Sequence, residues 1–291
     1  MTGTPSPAPE RLVEVTIDDR PVRVGVGGTI LDACRQFEIS VPTLCFLPGF
    51  EPPGACRLCV VEVDGARTLA PSCIRSVEPG MIVRTQTERV RESRRVLLEL
   101  LGSSVDLGLA PDLLDELRAL GARPERFAGS GEIATVEQPP LLDNDLYIRD
   151  YARCVHCYRC VQACGDDAQH TFAIAVAGRG FDARISTEHG VPLPDSACVF
   201  CGNCIDVCPT DALMTRTEFD LRRLGDWDET RQEHTDTICS YCGVGCTLTL
   251  QVQDGAIVNV ASPIGHEVAR GQLCIKGRFG WRFVQGANPR A

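Results

Sequence analysis

Cys154-Val-His-Cys157-Tyr-Arg-Cys160-Val-Gln-Ala-Cys164 and Cys198-Val-Phe-Cys201-Gly-Asn-Cys204-Ile-Asp-Val-Cys208-Pro209 are two copies of one loop-and-helix element. Internal duplication of this kind marks a repeated structural unit. Each copy packs four thiols into a span of 11 residues. A zinc ribbon instead pairs two separated CxxC knuckles, and disulfides belong to oxidising compartments. Working outward, Cys45, Cys56, Cys59 and Cys73 form a set before these runs, and Cys239, Cys242, Cys246 and Cys274 a set after them. Of 17 cysteines only Cys34 is left over, so the arithmetic is four four-thiol metal sites and one spare thiol.

Cys-x2-Cys-x2-Cys-x3-Cys resembles the bacterial ferredoxin run, in which the fourth cysteine ligates the other cluster. That resemblance implies two [4Fe-4S] centres: Cys154, Cys157, Cys160 and Cys208 on one, Cys198, Cys201, Cys204 and Cys164 on the other. Gly165 departs from the pattern, which commonly has Pro there. With four thiols for each centre, His156 and His170 are expected to play other roles.

The rest of the chain reads as an α+β protein in five parts. Residues 11–92 suit a β-grasp domain, with a hairpin turning at Asp18-Asp19 and a capping box, Thr29-x-x-Asp32, opening a helix over Ile30–Phe37. A long Pro/Gly-rich loop then carries Cys45 and Cys56, and loops of that length are usually functional. A second hairpin, Val60–Val63 with Arg67–Ala70, leads to Cys73. Cys34 reads as a small buried hydrophobe. The spacing Cys-x10-Cys-x2-Cys-x13-Cys resembles the [2Fe-2S] domain that opens the large subunits of respiratory complex I, of NAD-linked iron hydrogenases and of NAD-dependent formate dehydrogenases. Residues 93–144 predict a short helical segment and a connector, with helices over Thr87–Leu101 and Pro111–Leu120. Those families carry a centre bound by one His and three Cys here, but this sequence has no cysteine from 74 to 153 and no histidine before His156. That centre is expected to be lost.

Residues 145–214 form the two-[4Fe-4S] ferredoxin part, with a hairpin turning at Gly178-Arg-Gly180, and 215–236 a charged linker. In 237–291 a small [4Fe-4S] segment is expected, with a two-stranded hairpin turning at Asp254-Gly255. Its Cys239-x2-Cys242-x3-Cys246-x27-Cys274 followed by Lys276-Gly-Arg resembles the segment that opens molybdenum or tungsten bis-pterin oxidoreductases, formate dehydrogenases in particular. In those proteins the matching lysine lies between cluster and pterin, which implies an electron-relay role for Lys276, the one lysine beside 28 arginines.

A net charge of −10 argues against nucleic acid or anionic membrane as partner. The start has neither a basic n-region nor an apolar h-region, and no run reaches membrane-spanning length, so a cytoplasmic protein is expected. Taken together, the resemblance implies an electron-transfer subunit of an NAD-dependent formate dehydrogenase. It would have one [2Fe-2S] and three [4Fe-4S] clusters and no catalytic residues of its own. The implied partners are a molybdopterin-containing catalytic subunit and a complex I-like flavin/NAD-binding subunit. Related sequences continue into several hundred pterin- and substrate-binding residues, so a split subunit is expected. The alternatives are a hub in a hydrogenase-type or bifurcating assembly, or the N-terminal fragment of a longer enzyme.

Overall fold

The computed structural model describes residues 12–128 and 139–285; the opening Pro-rich stretch, part of the connector and the last six residues lie outside them. The chain divides into two compact units, Met1–Phe46 with Pro52–Leu101 and Asp112–Phe127, and Leu47–Glu51 with Gly102–Pro111 and Ala128–Ala291.

In the first unit, strands β1 (Leu12–Ile17) and β2 (Arg20–Gly25) pair antiparallel around Asp18 and Asp19, both left-handed at φ 45° and 63°. Positive φ at both turn residues matches the twist of the flanking strands. Helix α1 (Ile30–Gln36) starts at the expected capping box: Thr29 Oγ1 accepts from Asp32 N at 3.1 Å and Asp32 accepts back from Thr29 N at 2.9 Å. Its inner face, Ile30, Ala33 and Cys34, packs on Val15, Ile17, Val22 and Val24. The remaining strands are β3 (Val60–Val63), β4 (Ala70–Pro71) and β5 (Ile82–Arg84), and the sheet order is β2-β1-β5-β3-β4. The expected second hairpin is reduced to two paired residues on each side, and the main partner of the sheet's middle is β5. β5 lies parallel to β1, Thr16 opposite Ile82, a long-range pairing that three residues of local pattern do not announce. Asp18 fixes its end, accepting from Thr85 N at 2.7 Å and Thr85 Oγ1 at 2.5 Å. Helices α2 (Glu88–Ser104), α3 (Pro111–Ala119) and α4 (Glu125–Ala128) follow. α2 runs three residues beyond the expected Leu101, so Gly102-Ser-Ser, where the His/Cys₃ ligands would have followed, is helix.

The second unit is built on β6 (Tyr147–Arg149) paired with β9 (Leu213–Thr215), with α5 (Arg159–Cys164) and α6 (Asn203–Asp206) as the helical halves of the repeat. Between them β7 (Ala175–Ala177) and β8 (Arg184–Ser186) make the expected hairpin. Tyr147, Ala163, Ile174, Ile185, Leu193 and Leu213 form the core on which the thiol-bearing loops sit. After α7 (Arg216–Leu224), strands β10 (Gln232–Ile238), β11 (Thr247–Gln253) and β12 (Ala256–Ala261) form an antiparallel sheet, and α8 (Ile275–Phe279) follows, running into a 3-10 turn over Gly280–Phe283. This sheet has three strands where the sequence suggested two. β10, Gln-Glu-His-Thr-Asp-Thr-Ile, is exposed along almost its whole length and so lacks the apolar alternation that betrays a half-buried strand. Its main-chain ladder to β11, Gln232 opposite Gln253 through Ile238 opposite Thr247, holds it instead.

Candidate metal centres

The loop from Val41 to Leu58 gathers the first thiol set. Cys45, Cys59 and Cys73 are buried and Cys56 is half-buried. Backbone N–H groups of Cys45 and Leu58 point at Cys56 Sγ, 3.4 and 3.5 Å away. The four thiols hydrogen-bond one another: donation from Cys56 and Cys73 holds Cys45 far below the ordinary thiol value, and donation from Cys73 holds Cys59 down at about 6. Cys56 and Cys73, as the donors, are pushed up. Soft sulfur donors in this state, with amides aimed at a sulfur, fit a thiolate-bound cluster.

The duplication is visible in the backbone. His156 and Tyr158 in the first copy have φ 51° and 66°; Phe200 and Gly202 in the second have 54° and 73°. These left-handed residues curl each loop around its cavity. One cavity is lined by Cys198, Cys201 and Cys204 of the second run together with Cys164 of the first. The other is lined by Cys154, Cys157 and Cys160 together with Cys208. The fold thus brings each fourth cysteine to the opposite run. Donors converge on the sulfurs: Ala173 N reaches Cys164 Sγ at 3.2 Å, Phe200 N reaches Cys198 Sγ at 3.4 Å, and Tyr147 Oη lies 3.1 Å from Cys198 Sγ. Burial raises Cys154 to about 11 and Cys157 to about 12, and raises Cys160 and Cys208 of the same set and Cys201 and Cys204 of the other. Neutral thiols deep in an apolar pocket become stable thiolates only against a compensating positive charge, which a metal cluster supplies. Among the described residues no three His, Cys, Asp or Glu side chains converge as one mononuclear ion would require.

Cys239, Cys242 and Cys246 sit on the loop between β10 and β11, closed by Cys239 N donating to Cys246 O at 2.9 Å; Cys274 caps α8. Cys239 is buried, whereas Cys242 and Cys274 are exposed. Burial first, then the charges of the other three thiols, raises Cys246. Lys276 is exposed on the same turn as Cys274, and Val244, Ile275 and Phe283 are exposed apolar side chains of the same segment.

The side chain that organises this region is Arg278, which is 1% exposed. Its Nε donates to Cys201 O at 3.0 Å, Nη1 donates to Val260 O at 3.1 Å and pairs with Asp206 at 2.5 Å, and Nη2 donates to Asn203 Oδ1 at 3.3 Å. Asn203 Oδ1 also accepts Leu273 N at 2.9 Å. The second ferredoxin loop is therefore a receptor for the last segment. Its Gly202 is required: a Cβ there would stand 2.3 Å from Arg278 Cδ. Sequence reasoning passed over Arg278, Asn203 and Tyr147. The readable signal was the repeat's own asymmetry, Tyr158-Arg159 in one copy against Gly202-Asn203 in the other.

Two sulfur-lined cavities in a duplicated ferredoxin-like unit, with two further sets of four thiols, are the marks of iron–sulfur cluster domains. Three family models match it in order: a 2Fe-2S iron-sulfur cluster binding domain over residues 10–88, the ferredoxin-like domain of NADH-quinone oxidoreductase subunit 3 over 146–214, and a molybdopterin oxidoreductase Fe4S4 domain over 232–286. The chain is similar to an NADH-quinone oxidoreductase component of Rhizobium meliloti, 33% identical over 95% of this chain and 32% of the relative. It is 32% identical to the NADPH-Fe(3+) oxidoreductase subunit alpha of Geobacter sulfurreducens over 96% of this chain and 32% of that one. A putative formate dehydrogenase of Staphylococcus haemolyticus is 26% identical over 93% of this chain and 31% of its own length. Among solved structures, a chain in the crystal structure of an NAD+-reducing [NiFe]-hydrogenase in the H2-reduced state superposes with a TM-score of 0.61 at 27% identity, over 70% of this chain and 87% of that one. The chain spans about a third of the length of the curated relatives it matches. Among the described residues no helix is long and apolar enough to cross a membrane.

Proposed function

We propose that this chain is the iron–sulfur wire of a cytoplasmic nicotinamide-nucleotide-linked oxidoreductase. It would connect a molybdenum or tungsten bis-pterin catalytic partner to a flavin/NAD-binding partner. The observation that carries this reading is the order of the three matched domains in one chain, a 2Fe-2S domain of the complex I kind first and a molybdopterin-type Fe4S4 segment last. Cys45, Cys56, Cys59 and Cys73 would hold one [2Fe-2S] cluster. Three [4Fe-4S] clusters would be held by Cys154, Cys157, Cys160 and Cys208, by Cys198, Cys201, Cys204 and Cys164, and by Cys239, Cys242, Cys246 and Cys274. Bound there, such clusters supply one-electron transfer. The chain supplies the thiolates, the amide and hydroxyl donors around them, and apolar walls that exclude water. Lys276, exposed beside Cys274, would meet the pterin partner. Formate is the proposed substrate of the complex, on the closeness of the Cys-Ser-Tyr-Cys-Gly-Val-Gly-Cys segment to formate dehydrogenases. A hydrogenase-type assembly is the second reading, favoured by the structural likeness that covers 70% of this chain.

Anaerobic purification with native partners tests the proposal. Ligand arithmetic predicts about 14 iron atoms per chain, with pterin and flavin in the complex and formate-dependent reduction of NAD. The Lys276→Ala variant should slow that reduction while keeping the iron. Zinc in place of iron removes the whole reading. A complex that carries iron and flavin but oxidises only hydrogen removes formate and the pterin partner.

A further inference from the structure

Arg94 is buried in the middle of α2, 2% exposed, in the same unit as the first thiol set. Its Nε donates to Leu58 O at 3.1 Å and its Nη2 to Val60 O at 2.8 Å, so the guanidinium grips the chain on both sides of Cys59. The next residue, Arg95, is partly exposed and is paired with two carboxylates, the exposed Glu92 and the buried Glu99. Arg94 has no such partner: among the described residues, no carboxylate lies within ion-pair distance of it. Burial is the strongest influence on it and disfavours its charge; Glu116, Cys59 and Asp18 are the groups that act the other way. Two carbonyls satisfy part of its hydrogen bonding but none of its charge, and an uncompensated buried cation is among the costliest features a fold can hold.

A full counter-charge is supplied if Cys45, Cys56, Cys59 and Cys73 are all thiolates on a [2Fe-2S] centre. Four thiolates leave that centre a net anion when oxidised, and each electron it accepts makes it more negative. We infer that Arg94 is the internal counter-cation of this centre, a positioning residue that holds the Leu58–Val60 segment by its carbonyls and offsets the charge of Cys59, which lies between them, and of the thiolates that share its cluster. This rests on the ligand reading of those four cysteines. A fixed buried cation favours the reduced state, because net charge near a cluster sets its potential and the low local dielectric leaves it little screened.

The two roles of Arg94, grip and charge, are separated by substitution. Arg94→Gln keeps a donor and removes the charge; Arg94→Lys keeps the charge and loses the fork. In anaerobic redox titrations of the full chain followed by electron paramagnetic resonance, Arg94→Gln should lower the [2Fe-2S] midpoint potential. Arg94→Lys should stay near the native value, and the other centres should be unmoved in both. Thermal unfolding should show a larger loss from Arg94→Gln in the iron-loaded chain than in the iron-free chain, since the loaded form, with all four thiols ionised, holds more negative charge to compensate. Equal potentials in all three proteins overturn the inference. So do equal losses in loaded and iron-free chains, or failure of both variants to load the cluster while native chain loads, because each is what a purely structural arginine would give. Failure of the underlying reading looks different: Cys59→Ser would then leave the native [2Fe-2S] signal intact.

Discussion

Gly202→Ala is a one-methyl perturbation whose cost can be worked from the structure. Gly202 is left-handed, at φ 73°, and a Cβ on it would stand 2.3 Å from Arg278 Cδ, 2.9 Å from Arg278 Nε and 3.0 Å from Phe279 Cζ. Placing an L-residue in that backbone region costs about 1 kcal/mol. The repeat shows that this alone is tolerable, since Tyr158 occupies the equivalent place at φ 66°. The larger cost is the displacement of Arg278. The guanidinium cannot swing away cheaply: its side chain is 0% exposed, and it is committed to Cys201 O, Val260 O, Asn203 and Asp206. Freeing one member of a buried ion pair costs roughly 3 kcal/mol or more. The sum, about 4 kcal/mol, corresponds to a thermal midpoint lower by roughly 10 °C for a unit of this size. Calorimetry of the Gly202→Ala and Arg278→Ala single variants and of the double variant measures it. In the double variant the Arg278 cost is counted once instead of twice, so the two losses should fall short of adding by about 3 kcal/mol, as residues in direct contact do. A Gly202→Ala shift of no more than about 3 °C, the backbone term alone, would refute the receptor reading of this loop, and strict additivity would refute it independently.

Cys34 lies outside every cluster set, and burial pushes its thiol up to about 11. Its stabilising contribution is complete below about pH 9 and is lost as pH rises towards 11; Cys34→Ala should flatten that alkaline limb in denaturation curves and leave iron content unchanged. Glu218, buried at the start of α7, has its carboxyl raised to about 7, first by burial and then by Asp211, against the pull of Arg222. It therefore stabilises most at acid pH and its contribution drains away between about pH 4.5 and 7, so Glu218→Gln should gain roughly 2 kcal/mol at pH 8 and almost nothing at about pH 4.

What could be read in the sequence is what the chain decides locally. The thiol sets, the capped start of α1 and the turns at Asp18-Asp19 and Asp254-Gly255 need only neighbours, and Asp254 and Gly255 do take φ 51° and 80°. What escaped is decided by partners far away. β5 is three residues long and owes its place to β1, and β10 is polar and owes its place to β11. The same distinction runs through Lys276-Gly277-Arg278. Rarity drew attention to the lysine, but the sequence does not reveal which side of a five-residue helix faces inward. Lys276 is at the surface, whereas Arg278 is inside and makes the contacts. Likewise Gly202 was legible as a difference between two copies, yet its cause is an arginine 76 positions later.

The protection of the four thiol sets is unequal, and the inequality bears on the proposed wire. Cys45, Cys59 and Cys73 are buried behind their own loop, and Cys157 and Cys160 lie in the core of the repeat. Cys242 and Cys274 are open to water, on a segment whose own buried apolar cluster is only Cys239, Leu248, Val260 and Leu273. So small a core gives the segment little independent stability. Arg278 compensates by anchoring it to the ferredoxin loop through hydrogen bonds on Cys201 O and Asn203 Oδ1 and an ion pair with Asp206, while a third bond to Val260 O ties it to its own sheet, contacts whose strength does not depend on apolar area. An anchor of this kind leaves Cys242, Cys274 and Lys276 exposed. Under the proposed function that exposure is the point: an entry site must be held rigidly from behind and remain uncovered in front, and burying the anchor while exposing the thiols does both with one helical turn.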